Sequence, residues 1–457
     1  MWRNAFFLKL LVVLGLVLLL TVPLAMIRGL IYERQLIRSD VVSELAREQV
    51  GEQRLVGPIL TIPYKRTTTT QTTSTDDKGR SKTLTNTSID EGQLTFLPEV
   101  LDAKGSVATQ EKYRGLHRVL FNEAALNLTG RFLVTPHLAE KNQVIEWGVP
   151  SLSIGVADPR GILPGLALVW NGADASFAPG SAAPRIETGV QATLPKLDMA
   201  RTHDLPFAVS IKLLGMGRFE FLPVGKASRL SLQSAWPHPG FTGPLSPKST
   251  VGPSGFSATW DTSHFATNAK SRYERCIDGG AANSDKEATC REFFQLAHGV
   301  SFVQPVDIYQ QLERASKYGI LFIGLTFMAF FLYELLKRLR VHPVQYTLVG
   351  AALAMFYVLL VSLSEQVAFA KAYTISASAC VLLIGVYVAF VLRSMWRGAL
   401  FTGVLAALYG ALYILLQEQD HALLMGSILL FTILAGIMLG TRNVDWYRVA
   451  SAGEQHD

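Results

Sequence analysis

The sequence predicts a membrane protein with six transmembrane α-helices and a large mainly-β, sandwich-like extracytoplasmic domain inserted between helices 1 and 2. Three observations predict it: an apolar run near the N-terminus, a long strand-rich region, and a block of apolar runs after Tyr318. The 457 residues are 49% hydrophobic and 17% charged, whereas charge averages about 25% in soluble proteins. The predicted segments are 1–32 (cytoplasmic N-terminus and first span), 33–317 (extracytoplasmic domain with flanking helices), 318–440 (five-helix bundle) and 441–457 (cytoplasmic tail).

The first span is predicted at 10–27, an apolar run interrupted only by Gly15, Thr21 and Pro23. This run is longer than the apolar core of about 7–15 residues in a cleaved signal peptide, and no Ala-x-Ala site follows it. Arg3 and Lys9 precede the run. We therefore predict an uncleaved anchor whose N-terminal end lies in the cytoplasm.

Five more spans are predicted near 319–336, 344–363, 372–392, 398–416 and 422–439. Each approaches the roughly 20 residues that cross about 30 Å of hydrocarbon. One set of flanking loops holds nine basic residues, Arg3, Lys9, Lys337, Arg338, Arg340, Arg393, Arg397, Arg442 and Arg448. The other short loops hold Glu365, Lys371, Glu418 and Asp420. Because basic loops stay in the cytoplasm, both termini are predicted there, with 33–317 outside.

Region 33–317 is predicted to be rich in β-strands. Apolar and polar residues alternate at 207–213 and 230–236, and turns such as 170–172 separate many short segments. This pattern is typical of a β-sandwich or two packed antiparallel sheets. Helices are predicted at the two flanks, near 34–50 and 305–314. The Thr-rich stretch 66–90 is too polar to order itself by burial, so it is predicted as the long tip of a hairpin returning at 94–98, with a specific binding tract as the alternative.

The three cysteines have different predicted roles. Cys276 and Cys290 lie in the extracytoplasmic region, where disulfides persist. A bridge between them would close a loop of about 15 residues, worth roughly 3 kcal/mol. We predict this disulfide, the alternative being two free buried thiols. Cys380 lies in an apolar helix and is predicted to be an inert core residue.

No catalytic residue, cofactor site or metal site is predicted. Region 33–317 lacks Ser-x-x-Lys and Lys-Thr-Gly, and no Gly-x-Ser-x-Gly, His-Glu-x-x-His or phosphate-loop pattern occurs. There is no dense basic stripe, so nucleic acid is not predicted as a partner. The spans carry no charge at mid-depth, which disfavours a secondary transporter.

The most suggestive polar residues are histidines beside tryptophans. Trp236, His238, Trp260 and His264 form the candidate interaction region. The simpler interpretation is a rigid turn capping a sheet, with both tryptophans in the core, because a lone histidine is weak evidence for a metal. Asp158 and Arg160 are placed to pair around Pro159, but an exposed ion pair contributes little.

Several strings together resemble the inner-membrane CreD family. They are RSDV (38–41), LVGP (55–58), DPRGI (158–162), AWPHPGF (235–241), GFSATW (255–260), LTFMAFF (325–331), HPVQY (342–346) and TRNVDWY (441–447). The resemblance runs in order through essentially the whole chain. The Thr-rich stretch and the cysteine pair Cys276/Cys290 depart from the family pattern.

The resemblance implies a multi-pass protein of a Gram-negative inner membrane, with 33–317 periplasmic. It also implies a role in cell-envelope integrity and in the response to envelope or β-lactam stress, and it carries over no catalytic or ligand-binding residue. We expect a non-enzymatic protein whose periplasmic domain binds an unknown envelope protein or cell-wall component, beside the lipid bilayer. The alternatives are an envelope-acting enzyme with an unrecognised site and a transport component.

Overall fold

The computed structural model describes residues 3–75, 81–114, 117–278, 283–302, 308–337, 341–391, 394–417 and 422–442. The chain divides into two compact units. The helical unit comprises Met1–Asp40 and Val306–Asp457, and the β unit comprises Val41–Pro305.

The helices of the helical unit follow the predicted apolar runs. They are α1 (Arg3–Glu48, whose last turns belong to the β unit), α5 (Ile308–Lys337), α6 (Pro343–Ser364), α7 (Phe369–Val391), α8 (Met395–Gln417) and α9 (Ala422–Thr441). Within the described residues, four helices are long and apolar enough to cross a membrane: Leu11–Glu48, Pro343–Ser364, Phe369–Val391 and Met395–Gln417. The apolar helix Leu424–Leu439 is shorter. The predicted span 319–336 lies inside α5.

Aromatic and small residues hold these helices together. Phe356 on α6 packs edge-to-face against Tyr373 on α7 and Tyr409 on α8, with ring centroids 5.5 and 4.8 Å away. At Gly350 a Cβ atom would lie 2.4 Å from Leu20, so α1 approaches α6 closely only because this residue is glycine. Packing between such helices depends on close van der Waals contact, since lipid is as apolar as the helices themselves.

The β unit contains strands of very different lengths. They are β1 (Gln53–Thr75), β2 (Ser81–Phe96), β3 (Val100–Arg114), β4 (His117–Val134), β5 (Gln143–Trp147), β6 (Ser151–Val156), β7 (Ala167–Trp170), β8 (Ala173–Ala175), β9 (Ala178–Pro179), β10 (Gly189–Thr193), β11 (His203–Met216), β12 (Arg218–Leu222), β13 (Ala227–Ser234), β14 (Pro239–Thr242), β15 (Lys248–Gly252), β16 (Gly255–Ser263) and β17 (His298–Phe302). Three short helices follow β16: α2 (His264–Thr267), α3 (Ala269–Asp278) and α4 (Asn283–Phe294).

The strands of the described chain form two sheets. Sheet A has the order β14-β17-β12-β1-β6-β10-β9, with β2 and β5 also pairing with β1. Sheet B has the order β15-β16-β13-β3-β4-β11-β7-β8. Neighbours are antiparallel except β1 with β12 and β13 with β3. Both sheets contribute to one hydrophobic core, so the predicted sandwich-like arrangement is present, with two parallel pairs in place of purely antiparallel sheets.

Alternation along the strands explains why each sheet has one buried face. On β11 the residues Leu205, Phe207, Val209, Ile211 and Leu213 are buried and the residues between them are more exposed. Successive side chains of a strand point to opposite faces, so one face enters the core and the other meets water. The turn predicted at 170–172 joins β7 to β8 through Asn171 and Gly172, whose φ angles are 48° and 82°.

The predicted hairpin is present, but the stretch 66–90, which was predicted to be its tip, belongs to its two strands wherever it is described. β1 and β2 pair continuously from Leu60 opposite Phe96 to Thr75 opposite Ser81, and β5 adds a third strand beside Tyr64–Thr68. Residues 76–80 lie outside the described residues. Burial is not required here because the backbone ladder satisfies the main chain, and β-branched threonine favours the extended conformation.

A candidate binding face on the β unit

A depression of 660 Å³ lies on the outer face of sheet B. Five adjacent strands supply it with two rows of cross-strand neighbours. The first row is Thr259–Ser231–Lys104–Asn127–Ser210, and the second is Ser257–Gln233–Ser106–Ala125–Lys212. We call this surface, whose lining also includes Gly105 and Gly165, the polar groove. Along the strands the residues of the two rows alternate with buried core residues, so the side chains of both rows face away from the interior of the sandwich.

The polar groove is dense in groups that both donate and accept hydrogen bonds. Ser210 Oγ donates to Asn127 Oδ1 at 2.8 Å, and Ser231 and Thr259 hydroxyls lie 3.3 Å apart. No Asp, Glu, His or Cys lines the groove, whereas two lysines do. Lys104 Nζ lies 2.9 Å from Asp102, just outside the lining. The groove therefore offers hydrogen bonds and positive charge, but no carboxylate, imidazole or thiol.

A second cleft of 350 Å³ lies on the side of sheet A, lined partly by Arg54, Arg185 and Glu187. Arg54 donates through Nε and Nη2 to Glu220 Oε2 at 2.9 and 2.8 Å. Its charge is thus already neutralised by a buried carboxylate. Across the described ranges, no three His, Cys, Asp or Glu side chains are grouped so that they could hold a metal ion.

The four residues of the candidate interaction region do not form one surface. Trp260 is 1% exposed, and its Nε1 donates to the Leu245 carbonyl at 3.1 Å. Trp236 is half-buried and donates to the His238 carbonyl at 3.0 Å. β13 and β16 are antiparallel, and His264 follows β16 at the end of this pair where Ala227 lies opposite Ser263. Its side chain is exposed. Trp236 lies at the other end of the pair, past the last residue of β13. The region is therefore divided between the core and two ends of one strand pair.

The sequence reasoning missed His298, which is the buried partner of Trp260. The two rings stack with centroids 5.5 Å apart and an interplanar angle of 29°, linking β17 of sheet A to β16 of sheet B. His298 is 1% exposed, and its Nδ1 has no hydrogen-bond partner among the described residues. Burial lowers the pKa of His298 to about 4, although Glu220 and the hydrogen bond at Leu296 oppose this. Only the pairing of the two sheets reveals this contact, since the residues lie far apart in the sequence.

Asp158 and Arg160 do more than form the exposed pair that the sequence suggested. The Asp158 carboxylate accepts hydrogen bonds from the Gly51 amide at 3.0 Å and from Arg160 Nη2 at 2.6 Å. The Arg160 guanidinium also donates to the carbonyls of Ala46, at 3.0 Å, and of Arg47. These carbonyls end α1 and have no intrahelical donor. Pairing with Arg160 is the largest cause that lowers the pKa of Asp158, which keeps the carboxylate ionised.

Leu45 adds an apolar contact at the same helix end. It is buried against Val119, Phe121 and Met216, which lie near the ends of β4 and β11. Arg114 Nη2 lies 3.2 Å from Glu44 Oε1 on the same helical segment. The C-terminal turns of α1 are therefore docked on the β unit by a small apolar cluster and two arginines. The sequence did not reveal this role of Arg160, because the carbonyls to which it donates lie more than a hundred residues upstream.

The first prediction concerns this helix end. Arg160→Met keeps much of the side-chain volume but removes the donors, and we expect it to lower the free energy of unfolding more than the loss of an ordinary surface ion pair does, because two carbonyls at the end of α1 lose their hydrogen bonds. Arg201→Met is the matched control, because Arg201 pairs with Asp198 within an exposed turn and should cost under about 0.5 kcal/mol. Thermal unfolding of the purified full chain in detergent measures both. Equal effects would show that Arg160 is only a surface charge.

Cys276 and Cys290 are joined by a disulfide, with their Cα atoms 4.5 Å apart. The bond connects α3 to α4, the two helices that pack Tyr273 against Phe293 with ring centroids 4.9 Å apart. Tyr273 also donates its hydroxyl to the Pro184 carbonyl at 2.9 Å. Cys380 is buried and free.

The second prediction concerns this bond. Replacing both cysteines with serine should lower the free energy of unfolding by about 2–3 kcal/mol, because the unfolded chain gains the entropy that the loop had removed. Cys380→Ser is the control for loss of a thiol outside that loop. Peptide mapping without reductant provides the direct test. Recovery of Cys276 and Cys290 as alkylated free thiols from the envelope fraction would contradict the bond in the cell.

A sequence profile of the inner membrane protein CreD family matches residues 5–447. The chain belongs to the CreD family. Inner membrane protein CreD of Escherichia coli (strain K12) is 37% identical to it over 451 residues, which cover 98% of this chain and 95% of that protein. Together with its apolar helices, membership of the CreD family makes this an inner-membrane protein, as the sequence resemblance implied.

Solved structures resemble only parts of the chain. A nutrient-binding protein from Legionella pneumophila matches 43% of this chain and 80% of its own, with 9% identity and a TM-score of 0.20. An M1 zinc metallopeptidase from Deinococcus radiodurans matches 36% of this chain and 38% of its own, with 10% identity and a TM-score of 0.17. These similarities are too low to inform the function of a CreD-family protein.

Proposed function

We propose that this CreD-family protein supports the integrity of the cell envelope by binding an envelope component, without catalysis, through the polar groove of its β unit. The observation that carries the proposal is the lining of that groove. It presents two rows that consist mainly of hydroxyl, amide and ammonium groups, with no carboxylate, imidazole or thiol. A surface of this kind can hold a ligand by many hydrogen bonds, which supports binding as its role.

The two alternative functions lack a specific observation in their favour. An enzyme would be favoured by convergent carboxylates or histidines in a deep pocket, which neither the polar groove nor the second cleft presents. A transporter would be favoured by ionisable groups along a path through the helices. In the described helical unit the buried Glu334 on α5 instead accepts hydrogen bonds from Tyr346 Oη on α6 at 2.8 Å and from the Val341 amide at 2.9 Å.

The proposal includes a topology. The chain would cross the membrane six times, at α1 and α5–α9, with both termini in the cytoplasm and 33–317 in the periplasm. The charge difference between alternate loops supports this orientation. So does the match in position between the predicted spans and these helices.

The third prediction tests this topology. In a chain with Cys380→Ser, we expect Ser88→Cys to react with a membrane-impermeant maleimide in spheroplasts, because exposed Ser88 lies on β2, which the proposed topology puts in the periplasm. Met395→Cys, at the exposed start of α8, should react only after lysis. The Cys380→Ser chain alone measures background. Labelling of the two cysteines in the opposite order would invert the orientation and remove the periplasmic role.

The envelope role itself is tested in cells. Ser210 is exposed at the β11 end of the first row of the polar groove, so Ser210→Trp should obstruct the groove without disturbing the core. In a strain lacking its own CreD-family gene, we expect this variant, unlike the unmodified chain, to fail to restore resistance to detergent and to a β-lactam. Ser88→Trp, an exposed strand position on β2, is the matched control and should restore it. Full restoration by Ser210→Trp at normal abundance would reject the groove as the functional surface.

A further inference from the structure

We propose that the polar groove binds a linear, negatively charged glycan laid across the strands of sheet B; this inference rests on the proposed function and names the ligand class. The groove lies on the outer face of a sheet, and its rows run across the strands. The side chains along a row are therefore spaced by the distance between neighbouring strands. Each step along a row is about 4.8 Å, close to the length of one sugar unit in an extended chain. Five strands give the first row a length of about 19 Å.

The side chains in the first row match the chemistry of sugar hydroxyls. Ser231, Asn127 and Ser210 lie at one level of the sheet, with Lys104 between the first two, so a glycan would meet a hydrogen-bonding side chain on each strand that it crosses. Hydroxyl and amide side chains both donate and accept, as do sugar hydroxyls. An extended peptide would fit less well, because it advances about 3.3 Å per residue and satisfies its main chain at a sheet edge rather than on a face.

The charge of the ligand follows from the two lysines. Lys212 ends the second row and, in the part of the chain described, no carboxylate lies within ion-pair distance of its Nζ, whereas Lys104 is already paired with Asp102. No carboxylate lines the groove, and Asp102 beside it is paired with Lys104. A carboxylate on the glycan would therefore bind at Lys212, where the hydrogen bond is charge-assisted and stronger than one between neutral groups.

Calorimetric titration of the full chain in lipid nanodiscs tests the ligand class directly. The probes are hexagalacturonate, which carries a carboxylate on each sugar, and maltohexaose, a neutral chain of equal length. At pH 7 and low salt we expect hexagalacturonate to bind at least tenfold more tightly, with affinity falling as salt is added. Equal affinity for the two probes, or no saturable heat from either, would overturn the proposal.

Matched variants locate the binding. Lys212→Gln should weaken hexagalacturonate binding about tenfold, the effect of one charge-assisted hydrogen bond. Lys141→Gln, an exposed lysine outside the groove, should leave it unchanged. Ser210→Trp should abolish binding and Ser88→Trp should not. Two combined results separate the proposals. If Ser210→Trp fails to restore resistance in cells while the unmodified chain binds neither glycan, the proposed function stands and the ligand class is wrong. If the Ser210→Trp chain keeps both glycan binding and resistance in cells, both proposals fall.

Discussion

Replacing Trp260 with alanine is expected to lower the free energy of unfolding by about 3–5 kcal/mol, the range for deleting a large buried aromatic side chain. Trp260 is 1% exposed and contacts Phe241, with centroids 5.8 Å apart, as well as His298. The truncation would leave a cavity between the two sheets and leave the Leu245 carbonyl without its indole donor. Thermal unfolding of the full chain in detergent, followed by circular dichroism, should show the β unit melting roughly 10 °C lower.

Trp236→Ala is the matched control for this prediction. Trp236 is half-buried and lies past the end of β13, so its removal leaves a smaller void and should cost less than half as much. Equal losses would mean that the two tryptophans share the structural role equally. A loss confined to Trp236→Ala would contradict the placement of Trp260 at the centre of the core.

The second large effect is a loss of stability in mild acid that depends on His298. Burial holds the pKa of His298 at about 4 in the folded chain, against about 6.5 in the unfolded chain. Above pH 7 both states are neutral and the full stability is present. As the pH falls from 6.5 towards 4, the unfolded chain takes up a proton that the folded chain does not, so about 3 kcal/mol is lost.

His298→Phe should remove this dependence, because phenylalanine does not titrate. The slope of unfolding free energy against pH between 5 and 7 should therefore flatten, whatever the variant's absolute stability. His238→Gln is the control, since His238 is exposed, and should leave the slope unchanged. A slope in the His298→Phe chain as steep as in the unmodified chain would assign the acid sensitivity to other groups. Carboxylates such as Asp158, whose pKa is lowered, act below this window.

Much of the secondary structure was predictable because it depends on periodicity within one segment. The apolar runs at 10–27 and after Tyr318 became helices, and the alternation at 207–213 became β11. The Thr-rich stretch was predicted wrongly because composition measures burial, whereas the hairpin is held by paired backbone groups from Leu60 to Thr75. The disulfide between Cys276 and Cys290 could be predicted from the compartment and the sequence spacing of the two cysteines alone.

The candidate site was less predictable because it depends on which strands are neighbours. Ser210, Asn127 and Ser231 are ordinary polar residues in the sequence and become one row only because β11, β4, β3 and β13 lie side by side. The same is true of Arg160, whose carbonyl partners end a distant helix, and of His298. Trp236 and Trp260 show the opposite kind of error. Their proximity in sequence suggested one interaction region, but the structure places Trp260 in the core and Trp236 past the end of β13.

The sequence by itself therefore determined the class of the protein, its family, its apolar helices and the strand-rich region between them. These follow from hydrophobic patterning, which acts along the chain. Only the tertiary structure decided which polar side chains share a surface, which histidine is buried and what Arg160 binds. Those properties arise from contacts between segments far apart in sequence, and such contacts exist only once the two sheets have formed and packed.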